Sequence, residues 1–327
     1  MSECSSVTVD VRLPDDWAEG AMRDDITRAF SSHPLVLPPK WLYDDRGSEL
    51  FDQITRLDAY YPTEAERAIL AARADEIAAT TGADTVVELG SGTSDKTRTL
   101  LDAFHRAGQL RRFAPVDVSR ATLEAAAGDL ARRYPGIEIN ALVGDFTRHL
   151  VHLPSGQRRL VAFLGGTVGN FYVEERAAFL GALADSLDPG EWLLLGVDLV
   201  KPIERILDAY DDPEGVTAEF VKNVLAVLNT SLEGDFDLDA FDFVPLWDRR
   251  EERIDLRLRA VVPQDVRLAS LDLDLALGEG DELRVEISTK FRPERVTAEL
   301  EAAGFEAPTL WTDDQDLFGL ALARRAD

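Results

Sequence analysis

The chemistry of this chain is most visible where a buried run breaks into glycines: Val86-Val87-Glu88-Leu89-Gly90-Ser91-Gly92-Thr93-Ser94-Asp95-Lys96. Glycines let a backbone approach a ligand that a Cβ would block. A dinucleotide-binding turn would carry a third glycine where the helix opens, whereas this one has Thr93-Ser94-Asp95. The Asp95 carboxylate would sit badly beside a pyrophosphate, so the turn fits a ligand without phosphates. Asp117, at the end of the next strand, can accept hydrogen bonds from ribose hydroxyls. Asp145 with Phe146, ending the third, can accept an adenine amino group and cover the base. Either acid alone reads as a turn or cap residue, but their recurrence at consecutive strand ends points to a nucleoside. With Lys96 able to pair with a carboxylate, the ligand these groups suit is S-adenosylmethionine.

Gly165-Gly166-Thr167-Val168-Gly169-Asn170-Phe171 follows the fourth strand, where nucleic-acid amino-methyltransferases have an Asn/Asp-Pro-Pro-Tyr clamp for a planar base. Here the glycines leave room for a small substrate, and the Asn170 carbonyl could hold an amine with its lone pair aimed at a sulfonium methyl. A structural turn with Asn in left-handed geometry reads equally well. In Arg284-Val285-Glu286-Ile287-Ser288-Thr289-Lys290-Phe291 the two-residue period puts Glu286 and Ser288 on one face of a strand. A carboxylate beside a hydroxyl can grip both nitrogens of an imidazole, although an amphipathic strand facing water is the commoner source of such a pattern. Asp235, Asp237 and Asp239 imitate a calcium loop, but Ala240 replaces its glycine and Leu246 its bidentate glutamate. His33, His105, His149 and His152 lack zinc-ligand spacing, and no serine sits in a Gly-x-Ser-x-Gly elbow. We expect no metal.

These groups require strand ends lined up along one edge, and the chain alternates accordingly. A helical run from Ala65 to Thr80 is opened by a capping box of Thr63 and Glu66. Strands at Thr85–Leu89, Phe113–Val118, Glu138–Val143, Leu160–Leu164 and Trp192–Val197 then alternate with helices, predicting a doubly wound α/β domain. Between Leu199 and Thr289 come a helical stretch, an acidic segment and two alternating runs, Arg253–Val261 and Val266–Ala276, the pattern of an inserted α+β domain. A helix at Glu294–Ala303 and strands at Pro308–Thr312 and Phe318–Ala323 close the chain. The predicted division is 65–198 with 291–327 for the cofactor, and 12–64 with 199–290 for a substrate-binding lid.

The formal net charge of −26 over 327 residues repels polyanions, and the basic pairs, such as Arg111-Arg112, are short and scattered, so nucleic acid and anionic membrane are excluded as partners. Cys4 is the single cysteine, the first residues carry no basic or apolar leader, and the longest apolar stretches have the length of buried strands. We expect a cytoplasmic protein and, without coiled coil or repeat, a monomer.

The turn Leu187-Asp188-Pro189-Gly190-Glu191-Trp192 resembles that of class I methyltransferases. From about Pro38 to Leu322 the chain resembles the bacterial histidine-specific Nα-methyltransferases of ergothioneine biosynthesis. The most specific stretches are Leu37-Pro38-Pro39-Lys40-Trp41-Leu42-Tyr43-Asp44, Gly47 to Thr55, Tyr60-Tyr61-Pro62-Thr63, Glu88 to Ser94, Phe236 to Phe241 and Ser288 to Glu294. That resemblance implies a Rossmann-like class I domain and trimethylation of L-histidine, through mono- and dimethyl intermediates, to hercynine, with S-adenosyl-L-homocysteine as the other product. It implies cofactor binding by Gly90, Lys96, Asp117, Asp145 and Phe146, to which Ser91 and Tyr43 are added. Tyr60 and Tyr210 would hold the substrate carboxylate, Tyr43, Gly165 and Asn170 would surround the amine, and Glu286 and Ser288 would read the imidazole. Tyr43, or a water beside Asn170, would relay the proton.

Leu256, in Ile254-Asp255-Leu256-Arg257, stands where the mycobacterial pattern has methionine, a nearly volume-conserving change in the substrate pocket. The alternatives are a methyltransferase acting on another amino acid such as tryptophan or on a small amine, a nicotinamide-dependent oxidoreductase, and a cofactor-binding scaffold without turnover.

Overall fold

Runs rich in Val, Leu and Ala with scarcely a polar residue cannot face water on either side, and they form the centre of an eight-stranded sheet. The computed structural model describes residues 6–14, 16–31, 34–154 and 158–327; Cys4 and His33 lie outside them. The chain packs as two units. One takes in the chain to Pro14, Pro62–Leu199 and Phe291–Asp327, the other Asp15–Tyr61 and Val200–Lys290.

In the first unit the strand order is Ser6–Val11, Glu138–Val143, Arg112–Asp117, Thr85–Leu89, Arg159–Phe163, Trp192–Asp198, Phe318–Arg325 and Phe305–Thr312. The first six run parallel, and the C-terminal pair joins antiparallel at one edge. Thr85–Leu89 is buried throughout, as a strand covered on both faces must be. Val87, Val161, Phe163, Leu193 and Leu195 pack with Phe179 and Leu183 of the helix Val173–Asp185 and Leu300 of the helix Pro293–Ala302. The Arg176 side chain, 1% exposed, is held bidentately by Glu299, with its Nε 2.7 Å and Nη2 2.9 Å from the carboxylate, and lies over the Phe291 ring.

The second unit has a four-stranded sheet in the order Leu35–Val36, Glu282–Thr289, Arg253–Ala260 and Phe241–Asp248. Its helices are Trp17–Phe30, Asp45–Ile54, Ile203–Tyr210 and Val216–Ser231. Fully buried Asp255 is paired with Arg253, Arg257 and Arg284, a cross-strand ion network.

Three elements differ from the sequence reading. The helix expected to open with a Thr63–Glu66 capping box runs from Tyr61 to Thr81, so both residues lie inside it, and the Glu66 carboxylate is used elsewhere. The run Val266–Ala276 is a hairpin of Gln264–Leu268 and Leu273–Leu277 joined through the 3-10 turn Ala269–Leu271. Its apolar phase slips from even positions, Val266 and Leu268, to odd ones, Leu271, Leu273 and Leu275, and that slip marks the turn. The strand Ser6–Val11 pairs with Glu138–Val143. Its alternation of Val7, Val9 and Val11 with polar residues was the signal available for an exposed edge strand.

Candidate active site

Parallel neighbours end side by side, so the predicted cofactor residues other than Tyr43 lie at neighbouring strand ends of the first unit, while Tyr43 belongs to the second. Gly90 and Gly92 have φ of 65° and 48°, which glycine adopts without strain. Gly92 N–H donates to Asp117 Oδ2 and Ser119 N–H to Asp117 Oδ1, both at 2.9 Å. Burial pushes the Asp117 carboxyl above its ordinary range, and backbone N–H groups of Ser119, Gly92 and Val118 oppose it. Gly144 N–H donates to the Asp117 carbonyl, tying the second strand end to the third. Asp145 Oδ1 accepts from the Thr147 N–H at 2.8 Å and the Thr147 hydroxyl at 2.6 Å. Both acids thus cap their own turns. A Cβ placed on Gly90 would lie 3.5 Å from the Phe146 ring, so the glycine turn and the third strand end share one surface.

Glu88 Oε2, Ser91 Oγ and Ser94 Oγ are buried with no hydrogen-bond partner among the described residues. Burial raises the Glu88 carboxyl to about 7; Thr97 donates to its other oxygen, and the nearby Ser94 favours ionisation without bonding geometry. An acceptor and two hydroxyls orphaned at a glycine turn fit a nucleoside-bearing amino acid, whose amine and hydroxyls supply the missing partners.

Lys96 donates to Glu66, and Gly165 N–H donates to the same carboxylate at 2.8 and 3.0 Å. An ammonium has three donors, so this pairing leaves Lys96 able to meet a ligand carboxylate. Glu66 is fully buried and links the helix Tyr61–Thr81, the glycine turn and the loop after the fourth strand, a role the sequence did not suggest. Gly165 and Gly166 take the left-handed positions, with φ of 80° and 69°. Asn170 ends the following 3-10 turn, Thr167–Asn170, and is absent from the positive-φ set, so left-handed geometry does not explain it.

The remaining predicted residues meet in the second unit. Asp44 caps the helix Asp45–Ile54, accepting from Gly47 N–H and from Asn223 Nδ2, both at 2.7 Å, and so fixes Tyr43 beside it. A side chain at Gly47 would put its Cβ 1.6 Å from the Leu42 carbonyl oxygen, hence the glycine in this stretch. Tyr43 packs edge-on against Phe51 and Phe220, with centroids 5.4 Å apart in each pair; Phe51 meets Tyr60 and Tyr60 meets Tyr210. Burial, then Glu286, Tyr60 and Tyr210, push the Tyr43 phenol well above its usual range. Solvent still reaches 41% of Tyr43.

Glu286 and Ser288 are both buried on the strand Glu282–Thr289, and burial raises the Glu286 carboxyl to about 7 against the opposing pull of Lys290. Leu256, 1% exposed, is the cross-strand partner of Glu286. The Tyr210 hydroxyl donates to Ser288 Oγ at 3.0 Å, and Lys290 Nζ, wholly buried, donates to both hydroxyls at 2.8 Å. Lys290 stood in the quoted Ser288–Glu294 stretch, in phase with Glu286 and Ser288, but a lysine in an alternating run gave no reason to place it inside.

Among the described residues, no cluster of His, Cys, Asp and Glu is arranged to hold a metal ion, and no helix is long and apolar enough to cross a membrane.

A parallel sheet with a reversed C-terminal hairpin at one edge, and carboxylates at consecutive strand ends around a glycine turn, define a class I S-adenosylmethionine-dependent methyltransferase. The profile of the family described as histidine-specific methyltransferase, SAM-dependent, matches residues 22–325, and the chain belongs to that family. It is 53% identical over 319 residues to the histidine N-alpha-methyltransferase of Mycobacterium tuberculosis, covering 98% of this chain and 99% of that one. With the enzyme of the same name from Mycolicibacterium smegmatis it shares 54% over 313 residues, 96% and 98% of the two chains. Ergothioneine biosynthesis protein 1 of Schizosaccharomyces pombe is 34% identical over 224 residues, 65% of this chain and 29% of that protein.

Proposed function

We propose that this enzyme transfers methyl groups from S-adenosylmethionine to the α-amine of free L-histidine, three times in succession, giving hercynine and committing histidine to ergothioneine. The observation that carries the substrate is the pairing of buried Glu286 and Ser288 two positions apart on one strand: a carboxylate and a hydroxyl, the two group types that can pair with the two imidazole nitrogens. In this reading Tyr60 takes the substrate carboxylate, with Tyr210, its one proton donated to Ser288, packed beside it as ring surface, and Tyr43, Gly165 and Asn170 surround the amine.

Gly90, Ser91, Lys96, Asp117, Asp145 and Phe146, with Tyr43, hold the cofactor, which supplies an electrophilic sulfonium methyl. The protein's task is then positioning, and removal of one amine proton before each transfer. Tyr43, whose phenol stays neutral because of its raised pKa, serves as a hydrogen-bonding relay to solvent rather than a resident base. The Gly165-Gly166 wall gives the amine room to turn between transfers. The enzyme acts as a cytoplasmic monomer on a small molecule; its charge of −26 supports the exclusion of polyanions.

The test is mass spectrometry of the purified protein incubated with S-adenosylmethionine and all twenty amino acids in equal amounts. Histidine alone gaining three methyl groups is the expected result. Methylation of another amino acid instead would overturn the imidazole reading and leave the cofactor residues standing.

A further inference from the structure

A lysine that is 0% exposed is costly to bury, and the methyl-transfer chemistry makes no use of it. Lys290 Nζ is 2.8 Å from Tyr210 Oη and 2.8 Å from Ser288 Oγ, and the Tyr210 hydroxyl donates to the same Ser288 oxygen at 3.0 Å. The direction of that last bond follows from acidity, since a phenol is a better donor than an aliphatic hydroxyl. A hydroxyl has two lone pairs and one proton. With both lone pairs of Ser288 taken, its proton is left to be donated outward. No acceptor for it is found among the described residues. Glu286, two positions back on the same strand face, offers an acceptor.

We propose that Lys290 is a positioning residue that fixes Ser288 as a donor, so that Ser288 and Glu286 together accept only a ring with one bare nitrogen and one N–H, the neutral imidazole in a single tautomer. This deepens the histidine reading above and rests on it. A pyrrole or an indole, which has an N–H but no acceptor nitrogen, leaves the Ser288 proton unpaired in a buried site and is rejected.

The test compares histidine with the two pyrrolylalanine isomers, which have carbon in place of one or other ring nitrogen, in the full-length enzyme. The wild type is expected to show a KM for the better pyrrolylalanine at least 10-fold above that for histidine. Lys290→Met should raise the histidine KM about 10-fold, move the pyrrolylalanine KM less than 2-fold and leave kcat at saturation nearly unchanged. Ser288→Ala should do the same, and the double variant should be no worse than Ser288→Ala alone, because both act through one proton. If Lys290→Met keeps the wild-type discrimination while Ser288→Ala loses it, Lys290 does not set the donor and the proposal fails. If the wild type itself does not discriminate, the imidazole reading fails first. Should Lys290→Met no longer show a thermal shift with S-adenosylhomocysteine, Lys290→Gln replaces it. Its amide can still donate to both hydroxyls, so discrimination within 3-fold of wild type is expected, and its loss in a folded Lys290→Gln overturns the proposal.

Discussion

Leu256 sits across the ladder from Glu286, so its side chain shapes the same face of the sheet. Leu256→Met exchanges side chains of nearly equal volume; it should cost less than about 1.5 kcal/mol and change the histidine KM less than about 3-fold. A 10-fold change would show that the thioether has a specific contact. Glu286→Gln keeps the shape but replaces half of the acceptor with an N–H donor, and steady-state kinetics should show a histidine KM raised about 10-fold or more. In the wild type, kcat/KM should climb as pH rises through about 7. Glu286 becomes a carboxylate there, and the imidazole and the α-amine shed protons in the same direction. A flat profile, with chemistry shown to be limiting, would remove the proton-loss step. Gly165→Leu forces a positive-φ position onto a branched side chain, with a Cβ 3.3 Å from Lys96 Nζ. Trimethylated product should disappear from the mass spectrum, and an unchanged yield would contradict the small-substrate wall.

Among the elements, Glu66 is the joint. It is buried in the helix Tyr61–Thr81, accepts from Gly165 N–H and pairs with Lys96, so a helix, a sheet-end loop and the glycine turn converge on one carboxylate. Gly196 allows it to be there, since a Cβ on that residue would lie 2.2 Å from Glu66 Oε1. Glu66→Ala strips the partners from a buried N–H and an ammonium and should destabilise the first unit by about 3 kcal/mol, measured by urea unfolding. Glu66→Gln, which keeps one acceptor oxygen, should recover at least half. Equal losses in the two variants would mean that charge, rather than the hydrogen bond to the turn, is what matters.

The protein as a whole carries its acidity as a stability term. Glu88 and Glu286 ordinarily titrate near 4.5 but are raised to about 7 by burial. Below 4.5 both are protonated whether the chain is folded or not. Between 4.5 and 7 the unfolded chain releases protons that the folded one keeps, so stability falls with rising pH, by up to about 3 kcal/mol per group. Asp102, Asp212, Asp248, Glu282 and Glu299 are shifted down, and their stabilisation is lost only on the acid side, as pH drops below about 4. The ligand-free enzyme should therefore melt highest near about pH 5 and several degrees lower at about pH 7.5, and Glu286→Gln should flatten that slope by about half. An identical slope in the variant would show that Glu286 is not the group that titrates.

The doubly wound domain was legible in the residue order alone, because buried parallel strands must be apolar throughout and their turns must contain glycine where a ligand approaches. So were the residues at the strand ends, since a period of two or a turn signal settles which side chains share a face or an edge. Tyr43, Tyr60 and Tyr210 could be matched by motif, but only the packed aromatic rings brought them together. Glu66 looked like a helix cap, because Thr-x-x-Glu is a local signal and its true partners lie 30 and 99 residues away. Lys290 looked like a surface lysine on an alternating strand, and the tertiary structure buried it against two hydroxyls. Local patterns record local hydrogen bonds and periodic burial. Which distant donor completes a buried acceptor is decided only when the chain closes on itself, because the cost of leaving either unpaired exists only in the interior.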